Sequence, residues 1–414
     1  MSRNVVQSCD VIIVGAGPAG NAAALQLSKS GLRPIVVDHR ETIGDKLCTG
    51  VIGLECAAFF EPSTDIIFSH VDQVSVYSPS GEKYLMGDES NRALVVDRVS
   101  YVNSIAQEAQ SYGATYLLGY RVVSIDIDQS GVEVRASHNE KSMRITAPMI
   151  LIASGFGTNL LNHVNLNRNK QTDYLIGTQT TVETEHLDHI QLFTGSEIAP
   201  GSFAWLVPKD NSQALLGIVS RSKNAPSLKR LTNKLISRKM VKKCLTRQET
   251  WGIPLKPIDT TYGTRVLILG DAAGFTKPTT GGGIYYAMIS GQLAAETIEY
   301  CMGIGNFDSK HLSRYQTSWE QSFGAELKTG YNARLLYECL DDNSLNKLLE
   351  KFSSIDIQKQ ILSSEVFSFD WHASIIGNTV RNKEIYSLLT SLGPGIPTIF
   401  AKVLKRLFLE AAYR

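Results

Sequence analysis

The sequence has few cysteines, and neither they nor the histidines are clustered. Its six cysteines lie far apart, none in a Cys-x-x-Cys pair, and its eight histidines are equally dispersed. Disulfide frameworks and zinc sites show short, regular spacings of these residues. We therefore predict no bound metal ion, and reduced thiols of the kind that cytoplasmic proteins carry.

Long apolar runs and an excess of one charge are also missing. No window holds the roughly 18 consecutive apolar residues of a membrane-spanning helix, and the polar first nine residues are unlike a signal peptide. The formal net charge of +1 excludes a whole-molecule attraction to nucleic acid. We expect a cytoplasmic globular protein. Its 414 residues, 43% of them hydrophobic, suffice for two or three structural units.

A glycine-rich segment follows the first predicted strand. Residues 15–20 read Gly-Ala-Gly-Pro-Ala-Gly, before a helix predicted over 21–30 and a second strand that ends at Asp38. In such a unit Gly15 allows the tight turn, Gly17 lets the backbone approach a pyrophosphate, and Gly20 lets helix and strand pack closely. Asp38 is placed to accept hydrogen bonds from an adenosine ribose. The segment predicts a dinucleotide but does not separate NAD from FAD.

A second glycine-rich region, about 250 residues later, makes that distinction. Gly270 and Asp271 follow a predicted buried strand, and residues 281–283 are three glycines before a helix predicted from Ile284 to Tyr300. A carboxylate at the carboxyl end of a parallel strand can bind ribityl hydroxyls. Free N–H groups at a helix N-terminus can hold the electron-rich edge of a reduced isoalloxazine ring. The two regions together predict FAD.

The remaining patterns predict an α/β protein. A Rossmann-like FAD-binding domain is interleaved with an antiparallel-sheet substrate domain, and a helical C-terminal region follows. Polar and apolar residues alternate over 71–96 and again over 173–222, as in strands with one buried face. The predicted boundaries are 1–70, 95–172 and 255–300 for the FAD-binding domain, 71–94 and 173–254 for the substrate domain, and 301–414 for the helical region.

Four elements resemble the geranylgeranyl reductase family of FAD-dependent oxidoreductases, within the p-hydroxybenzoate-hydroxylase-like group. Residues 15–20 match the group's first FAD motif, and residues 46–50 (Lys-Leu-Cys-Thr-Gly) resemble the family's Lys-x-Cys-Gly-Gly. Asp97 and Arg98, before an amphipathic helix, are similar to the group's Asp-Arg element. Residues 270–274 and 283–287 resemble Gly-Asp-Ala-Ala-Gly and Gly-Glu-Gly-Ile-Tyr-x-Ala.

The chain departs from the family pattern at three places. Thr49 replaces a glycine, Gly282 replaces the usual glutamate, and residues 154–157 (Ser-Gly-Phe-Gly) stand where many relatives have Ala-Asp-Gly. We therefore assign no cofactor carboxylate to residues 154–157. The predicted cofactor-binding residues are Gly15, Gly17, Ala19, Gly20, Asp38, Lys46, Cys48, Arg98, Val123, Gly270, Asp271, Gly282, Gly283 and Ile284.

The resemblance also implies catalytic and substrate residues. The family's cysteine lies near the flavin ring, which makes Cys48 the implied proton donor, whereas free cysteine is usually a buried apolar residue. Phe203 and Trp205 resemble the family's Pro-x-(Tyr/Phe)-x-Trp signature and, together with Tyr285, are implied to contact substrate. Because Phe203 and Trp205 alternate along a predicted strand, they face one side. The alternative, that both are core residues under the sheet, stays open.

The resemblance implies reduction of isolated double bonds in a geranylgeranyl-type isoprenoid or isoprenoid lipid, by hydride transfer from reduced flavin. No second strand–GxGxxG–helix unit marks a separate NAD(P) domain, so NAD(P)H and ferredoxin are both candidate electron donors. A flavin monooxygenase (hydroxylase or epoxidase) of an apolar substrate is the first alternative. A non-enzymatic prenyl-lipid binding protein is the second.

A basic stretch bears on membrane contact. Residues 221–247 contain ten Lys or Arg and no acid, with Leu231, Leu235 and Met240 between them, and residues 399–412 are similar. A basic amphipathic helix can lie on anionic lipid headgroups. It can also pack on its own domain with a solvated basic face. Peripheral membrane contact is therefore one of two open interpretations.

Overall fold

The computed structural model describes residues 5–46, 48–87, 90–139, 141–166, 173–221, 228–362 and 368–391. The strands are β1 (Val5–Ser8), β2 (Val11–Val14), β3 (Pro34–Asp38), β4 (Val51–Gly53), β5 (Ile67–Val71), β6 (Gln73–Tyr77), β7 (Lys83–Gly87), β8 (Ala93–Val96), β9 (Thr115–Leu118), β10 (Arg121–Ile127), β11 (Val132–His138), β12 (Lys141–Ala147), β13 (Met149–Ile152), β14 (Tyr174–Glu183), β15 (Ile190–Phe193), β16 (Ala204–Pro208), β17 (Gln213–Ser220), β18 (Lys243–Cys244), β19 (Glu249–Pro254), β20 (Tyr262–Gly263) and β21 (Val266–Ile268).

The helices are α1 (Pro18–Lys29), α2 (Leu54–Phe59), α3 (Arg98–Ser111), α4 (Leu160–His163), α5 (Leu228–Ser237), α6 (Gly270–Ala273), α7 (Ile284–Ile304), α8 (Ser309–Trp319), α9 (Ala325–Glu338), α10 (Asp342–Phe352), α11 (Ile355–Leu362), α12 (Ala373–Arg381) and α13 (Lys383–Ser391). A 3-10 turn covers Thr64–Ile66, and a π-helical turn, Glu320–Gly324, connects α8 to α9. None of the helices in the described ranges combines the length and apolarity needed to cross a membrane.

A six-stranded sheet forms the centre of the predicted FAD-binding domain. Its strand order is β20-β21-β13-β2-β3-β9, and its neighbours are parallel except for β20 and β21. Strands β2, β3 and β13 are buried along their whole length, as in parallel strands covered on both faces. The carboxyl ends of β2 and β21 lead into the two glycine-rich regions, at the edge where ligands bind in such sheets.

An eight-stranded sheet forms the second layer. Its order is β18-β14-β17-β16-β15-β6-β7, with β19 paired to β14, and it is antiparallel apart from the pair of β15 and β6. Its strands come from residues 73–87 and 174–254, which lie within the segments predicted for the substrate domain. The exact domain boundaries stay a prediction. Two smaller sheets, β1-β12-β11-β10 and β4-β8-β5, flank the larger ones.

The two faces of the eight-stranded sheet meet different partners. On one face, Leu228, Leu231 and Leu235 of α5 pack in a core with Leu206 and Leu216 of the sheet. On the other face, a core that includes Trp205, Val207, Val219 and Ile253 lies toward the cofactor region. The C-terminal helices share a further core, to which Leu336, Ile357, Val380, Ile385 and Leu389 contribute.

The basic stretch therefore packs its apolar residues on its own sheet. The sequence predicts a helix over residues 225–247, of which 225–227 lie outside the described residues. Helix α5 ends earlier, at Ser237, because a left-handed residue, Lys239, follows it and the chain returns to strand at β18. Ion pairs to Glu197 engage Arg230 and Lys234. The similar stretch 399–412 lies outside the described residues.

Two other helix boundaries also differ from the prediction. Helix α1 begins at Pro18 rather than at residue 21, because the fixed φ of proline suits the first helical position. Helix α7 begins at Ile284 as predicted but runs four residues further, to Ile304, where Gly305 at φ +63° ends it.

Candidate active site

A cavity of about 1750 Å³ lies where the six-stranded sheet, the eight-stranded sheet and the C-terminal helices meet. It exceeds the roughly 300–1,000 Å³ typical of a site for one drug-sized ligand, so a cofactor and a second ligand both fit. The predicted site residues that line it are Gly15, Gly17, Ala19, Asp38, Lys46, Cys48, Arg98, Val123, Phe203, Trp205, Gly270, Asp271, Gly282, Gly283, Ile284 and Tyr285. The remaining one, Gly20, lies behind the glycine turn.

The three glycines of the first motif have different surroundings. Gly15 has φ +114°, and a Cβ there would lie 2.3 Å from the carbonyl oxygen of Ala153. A Cβ at Gly20 would lie 1.9 Å from the carbonyl oxygen of Gly15. A Cβ at Gly17 would have no heavy atom within 4 Å. The turn thus presents an open backbone at Gly17, at the N-terminus of α1, where a phosphate group can approach.

Asp38 holds this turn against the neighbouring strand. Its Oδ2 accepts a hydrogen bond of 2.7 Å from the backbone N–H of Ala16, and its Oδ1 accepts one of 2.8 Å from that of Arg40. Each carboxylate oxygen has a second lone pair. Asp38 is therefore able to support the turn and accept a ligand hydroxyl at the same time.

Arg98 brings an unsatisfied donor to the cavity wall. Its Nη1 donates to the carbonyl oxygens of Gly44 and Lys46, the latter at 2.6 Å, whereas its buried Nε has no partner within the protein. An unpaired buried donor of a charged group costs free energy, and an acceptor on a bound ligand would offset that cost. Close by, Lys46 Nζ lies 2.5 Å from Asp271 Oδ2.

The second glycine region presents a helix N-terminus. Gly283 precedes α7, and no side chain caps the first-turn N–H groups of this helix. Asp271 lies directly beside it, because a Cβ at Gly283 would be 3.0 Å from Asp271 Oδ1. Unpaired N–H groups and the helix dipole favour an electron-rich ligand edge at this position.

These features fit FAD. The open turn at Gly17 suits the pyrophosphate, and Asp38 suits the ribose at the end of the next strand. The unpaired Arg98 Nε and the Lys46–Asp271 pair suit the polar middle of the cofactor. The N-terminus of α7 suits the ring.

Cys48 is connected to the aromatic side of the cavity through Gln179. The thiol is half-buried, and its Sγ accepts a long hydrogen bond of 3.5 Å from the N–H of Gly50. The Cys48 carbonyl accepts from Gln179 Nε2 at 3.3 Å, and Gln179 Oε1 accepts from Trp205 Nε1 at 3.1 Å. The sequence did not indicate Gln179, since nothing distinguishes it within its strand.

Trp205 is at once a core residue and a cavity residue. It is 5% exposed and lines the cavity. The centre of its ring is 6.1 Å from that of Phe203 and 6.4 Å from that of Trp251. A Cβ at Gly217 would lie 2.1 Å from Trp205 Cζ2, so the glycine makes room for the indole. Phe203 lies just before β16 rather than on it. Both rings therefore have a packing role, and their contact with substrate stays a prediction.

Tyr285 lies at the other side of the cavity in an aromatic cluster. Its ring is 6.3 Å from that of Phe59 and 5.5 Å from that of Trp371, both in edge-on arrangements. Trp371 comes from a segment that carries no recognisable motif.

That segment, residues 368–372, was missed from the sequence and makes several polar contacts. Lys277 Nζ donates to the Phe369 carbonyl at 2.8 Å and lies 3.7 Å from Asp370 Oδ1. Asp370 Oδ2 accepts from the N–H of Cys56 at 2.9 Å, at the start of α2. His372 Nδ1 lies 2.6 Å from Thr279 Oγ1.

Burial shifts the pKa values of all three groups toward their neutral forms. It lowers the pKa of Lys277 and raises that of Asp370, although each attracts the other's charge. It lowers the pKa of His372 to about 3, with a smaller effect in the same direction from Lys277. The only hint of this cluster in the sequence is the position of Lys277 between two glycine-rich segments. Its partners, Phe369 and Asp370, lie about 90 residues further along the chain.

The C-terminal helices supply an apolar wall that the sequence did not indicate either. The helices were expected, but not their position over the substrate side of the cavity. The aliphatic and aromatic residues of this wall are Leu336, Leu340, Leu348, Phe352, Ile375, Ile376, Val380, Ile385 and Leu389.

Known proteins are similar to this chain along most of its length. A family model described as pyridine nucleotide-disulphide oxidoreductase matches residues 9–190. The digeranylgeranylglycerophospholipid reductase of Methanothrix thermoacetophila is 28% identical over 367 residues, which cover 86% of this chain and 94% of that protein. The enzyme of the same name from Methanococcus vannielii is 26% identical over 370 residues, covering 86% and 95%.

Solved structures share the fold. A geranylgeranyl bacteriochlorophyll reductase-like protein from Thermoplasma acidophilum has a TM-score of 0.81 at 22% identity, covering 94% of this chain and 100% of that one. The p-nitrophenol 4-monooxygenase PnpA of Pseudomonas putida has a TM-score of 0.69 at 16% identity, covering 86% and 97%. The predicted α/β fold with its Rossmann-like FAD-binding unit is confirmed. The predicted resemblance to the geranylgeranyl reductase family of FAD-dependent oxidoreductases is confirmed, because relatives with reductase names are similar to this chain along most of its length.

Proposed function

We propose that this enzyme reduces isolated double bonds in the geranylgeranyl chains of an isoprenoid lipid. The observation that carries the proposal is the composition of this cavity: the predicted FAD residues form one side, and aromatic and aliphatic side chains form the other. The names of the Methanothrix and Methanococcus relatives support the same substrate class.

The apolar side of the cavity offers a row of side chains against which a long hydrocarbon chain can pack. Three neighbouring strands carry this row: Trp205 on β16 pairs with Leu192 on β15, which pairs with Val76 on β6. All three residues line the cavity. We propose that a polyprenyl chain lies across these strands, beneath the C-terminal helices. Burial of its apolar surface contributes about 25 cal/mol per Å² without requiring polar partners.

Bound FAD, once reduced, supplies a hydride to one carbon of the double bond. The chain must orient that bond, exclude water and deliver a proton to the other carbon. We propose that Trp205 and Phe203 orient the chain and that the apolar walls exclude water. Cys48, half-buried at the junction of the polar and aromatic sides, is the proposed proton donor.

Access and electron supply belong to the same proposal. A lipid substrate makes peripheral membrane contact useful, and Ile236 and Leu245 are exposed, 39% and 42%, among the basic side chains of the α5 region. NAD(P)H and ferredoxin both stay candidate donors.

The test is anaerobic turnover of the FAD-loaded protein, reduced with dithionite. Geranylgeranyl diphosphate and a geranylgeranylated glycerolipid are the substrates, and mass spectrometry counts the hydrogens gained. We expect two added hydrogens for each double bond reduced. No gain on either substrate would refute the proposal, and a hydroxylated product in air would favour the monooxygenase alternative.

Matched cysteine variants test the proton donor. We expect Cys48→Ser to slow product formation, by roughly 10²-fold or more if it removes the general acid. Cys339→Ser changes an exposed thiol that does not line the cavity and should leave the rate unchanged. An unaffected rate in Cys48→Ser would assign the proton to another group.

A further inference from the structure

Lys277 places a buried amino group behind residues 281–283, the loop predicted to face the flavin ring. Asp370 favours the charged form of this amino group, and burial opposes it. The backbone N–H of Lys277 donates to the Gly282 carbonyl at 2.7 Å, and its carbonyl accepts from the N–H of Gly281 at 2.7 Å. Its side chain, 8% exposed, passes beneath this turn. A Cβ at Gly282 would lie 2.9 Å from Lys277 Cε and 3.6 Å from Nζ. The family's usual glutamate at 282 is thus replaced by glycine at the point where the lysine needs room.

The charge is held at this position from the C-terminal side. Nζ donates to the Phe369 carbonyl at 2.8 Å and lies over the Phe369 ring at 4.2 Å. Asp370, 3.7 Å away, is itself bound by the N–H of Cys56 at the start of α2. The pair is therefore oriented, with the ammonium under the turn at α7 and the carboxylate toward α2.

We propose that Lys277 is a positioning residue for charge at the ring end of the FAD site: its ammonium adds to the N-terminus of α7 and favours reduced over oxidised FAD. Reduction adds two electrons and one proton to FAD and leaves the ring with one negative charge. A positive charge at short range inside a protein attracts that anion far more than the same charge in water. The inference rests on FAD binding, which the proposed function shares, but not on the isoprenoid substrate.

The test compares the affinities of each variant for the two forms of the cofactor. Apo protein is reconstituted with FAD, the Kd of oxidised FAD is measured by fluorescence, and the midpoint potential is measured by anaerobic titration against a reference dye. The thermodynamic cycle then gives the ratio of the Kd of oxidised FAD to that of reduced FAD. Neither measurement requires turnover.

We expect Lys277→Met to lower this ratio by roughly tenfold. This holds whether Asp370 then stays ionised or takes up a proton, because the positive end is lost in both cases. Lys277→Arg keeps the charge and should restore the ratio to near the wild-type value. Lys351→Met removes the same charge from an exposed position on α10 and should change nothing.

Asp370→Asn in the Lys277→Arg background separates the electrostatic role from a structural one. It breaks the same buried pair, and arginine keeps its charge without the carboxylate, whereas burial would push lysine toward its neutral form. The double variant should therefore not lower the ratio, whereas loss of a purely structural contact would lower it as much as Lys277→Met does. Equal falls in the two variants, or no fall in Lys277→Met, would overturn the inference alone. Wild-type protein that takes up no FAD would overturn the proposed function as well.

Discussion

Gly17 and Gly20 belong to one motif but have different surroundings. Substitutions at the two positions should therefore affect different properties, FAD affinity at Gly17 and stability at Gly20. Gly17 faces open space, whereas a Cβ at Gly20 would lie 1.9 Å from a backbone oxygen. We expect Gly17→Ala to keep the thermal stability of the apo protein and to weaken FAD binding by tenfold or more. Gly20→Ala should lower the free energy of unfolding by about 1–3 kcal/mol. Calorimetry of the apo proteins and FAD titration measure the two effects.

Gly303→Ala is a matched control, since a Cβ there also meets no heavy atom within 4 Å and the residue lies away from the cavity. It should alter neither FAD affinity nor the folded structure. If Gly17→Ala bound FAD as tightly as this control, the pyrophosphate would have to lie elsewhere.

His372 gives the fold a dependence on pH. Its neutral ring accepts from Thr279 at Nδ1 and donates to the Phe369 carbonyl from Nε2. Because its folded pKa of about 3 lies below the ordinary value of 6.5, the unfolded chain takes up the proton first as pH falls. Stability contributed by this site is therefore lost from pH 6.5 downward, by up to roughly 1.4 kcal/mol per pH unit until about pH 3.

His372→Gln isolates this effect because glutamine donates and accepts without titrating. Between pH 6.5 and 4, Tm should fall more steeply in the wild type than in the variant. Parallel curves would show that His372 becomes protonated within the folded protein.

Which residues the sequence predicted depends on how local their signals are. Asp38 ends β3 at a fixed spacing after the first glycine turn, and Asp271 follows β21 within the second glycine-rich region, so spacing alone placed both at the site. Lys277 and Asp370 carry no such spacing, because their contact joins two parts of the chain that only the tertiary fold brings together.

At the scale of elements, the two residues at the start of helix α3 have different roles. Asp97 caps the helix, whereas Arg98 lines the cavity. Asp97 is the N-cap of the helix and accepts from the N–H groups of Val99 and Ser100. Arg98, 8% exposed, instead contacts the backbone of residues 44–46. We expect Asp97→Ala to cost about 1 kcal/mol of stability with FAD affinity retained, and Arg98→Gln to weaken FAD binding. Denaturant unfolding and FAD titration distinguish the two, and loss of FAD binding in Asp97→Ala would contradict the assignment.

The sequence predicted element boundaries correctly where glycine residues mark a turn. Ile284, after three glycines, begins α7 as predicted. The basic stretch was harder, because its polar residues allow either a long helix or a helix followed by strand. The packing of Leu228, Leu231 and Leu235 on the sheet holds the helix in place. The left-handed residue Lys239 then ends it and returns the chain to strand.

At the scale of the whole molecule, the cavity is a product of docking rather than of any one motif. Its floor comes from the eight-stranded sheet, and its cover comes from helices α9 to α13, which follow that sheet along the chain. Apolar residues recur at the same helical spacing whether that face of the helix lies against a core or against a cavity, so the pattern does not distinguish the two. The sequence therefore predicted the cofactor side of the site and left the cover unassigned.

The row of cavity residues across the sheet predicts how chain length is limited. Trp205, Leu192 and Val76 occupy successive strands, and Val76, two strands beyond Trp205, lies furthest from Cys48 along this row. Val76→Phe adds bulk at that end. We expect it to slow reduction of a geranylgeranyl lipid by roughly tenfold, the size of effect that misfit in an apolar pocket produces. A lipid with geranyl chains should be reduced at the rate that the wild type shows.

The measurement is kcat/KM for the two lipids in the wild type, in Val76→Phe and in Val6→Phe, which adds the same bulk at an exposed position outside the cavity. A fall for both lipids in Val76→Phe would indicate a general distortion of the sheet. A fall for neither would mean that the hydrocarbon chain leaves the FAD site by another path, because a chain lying across these strands has to meet the added ring.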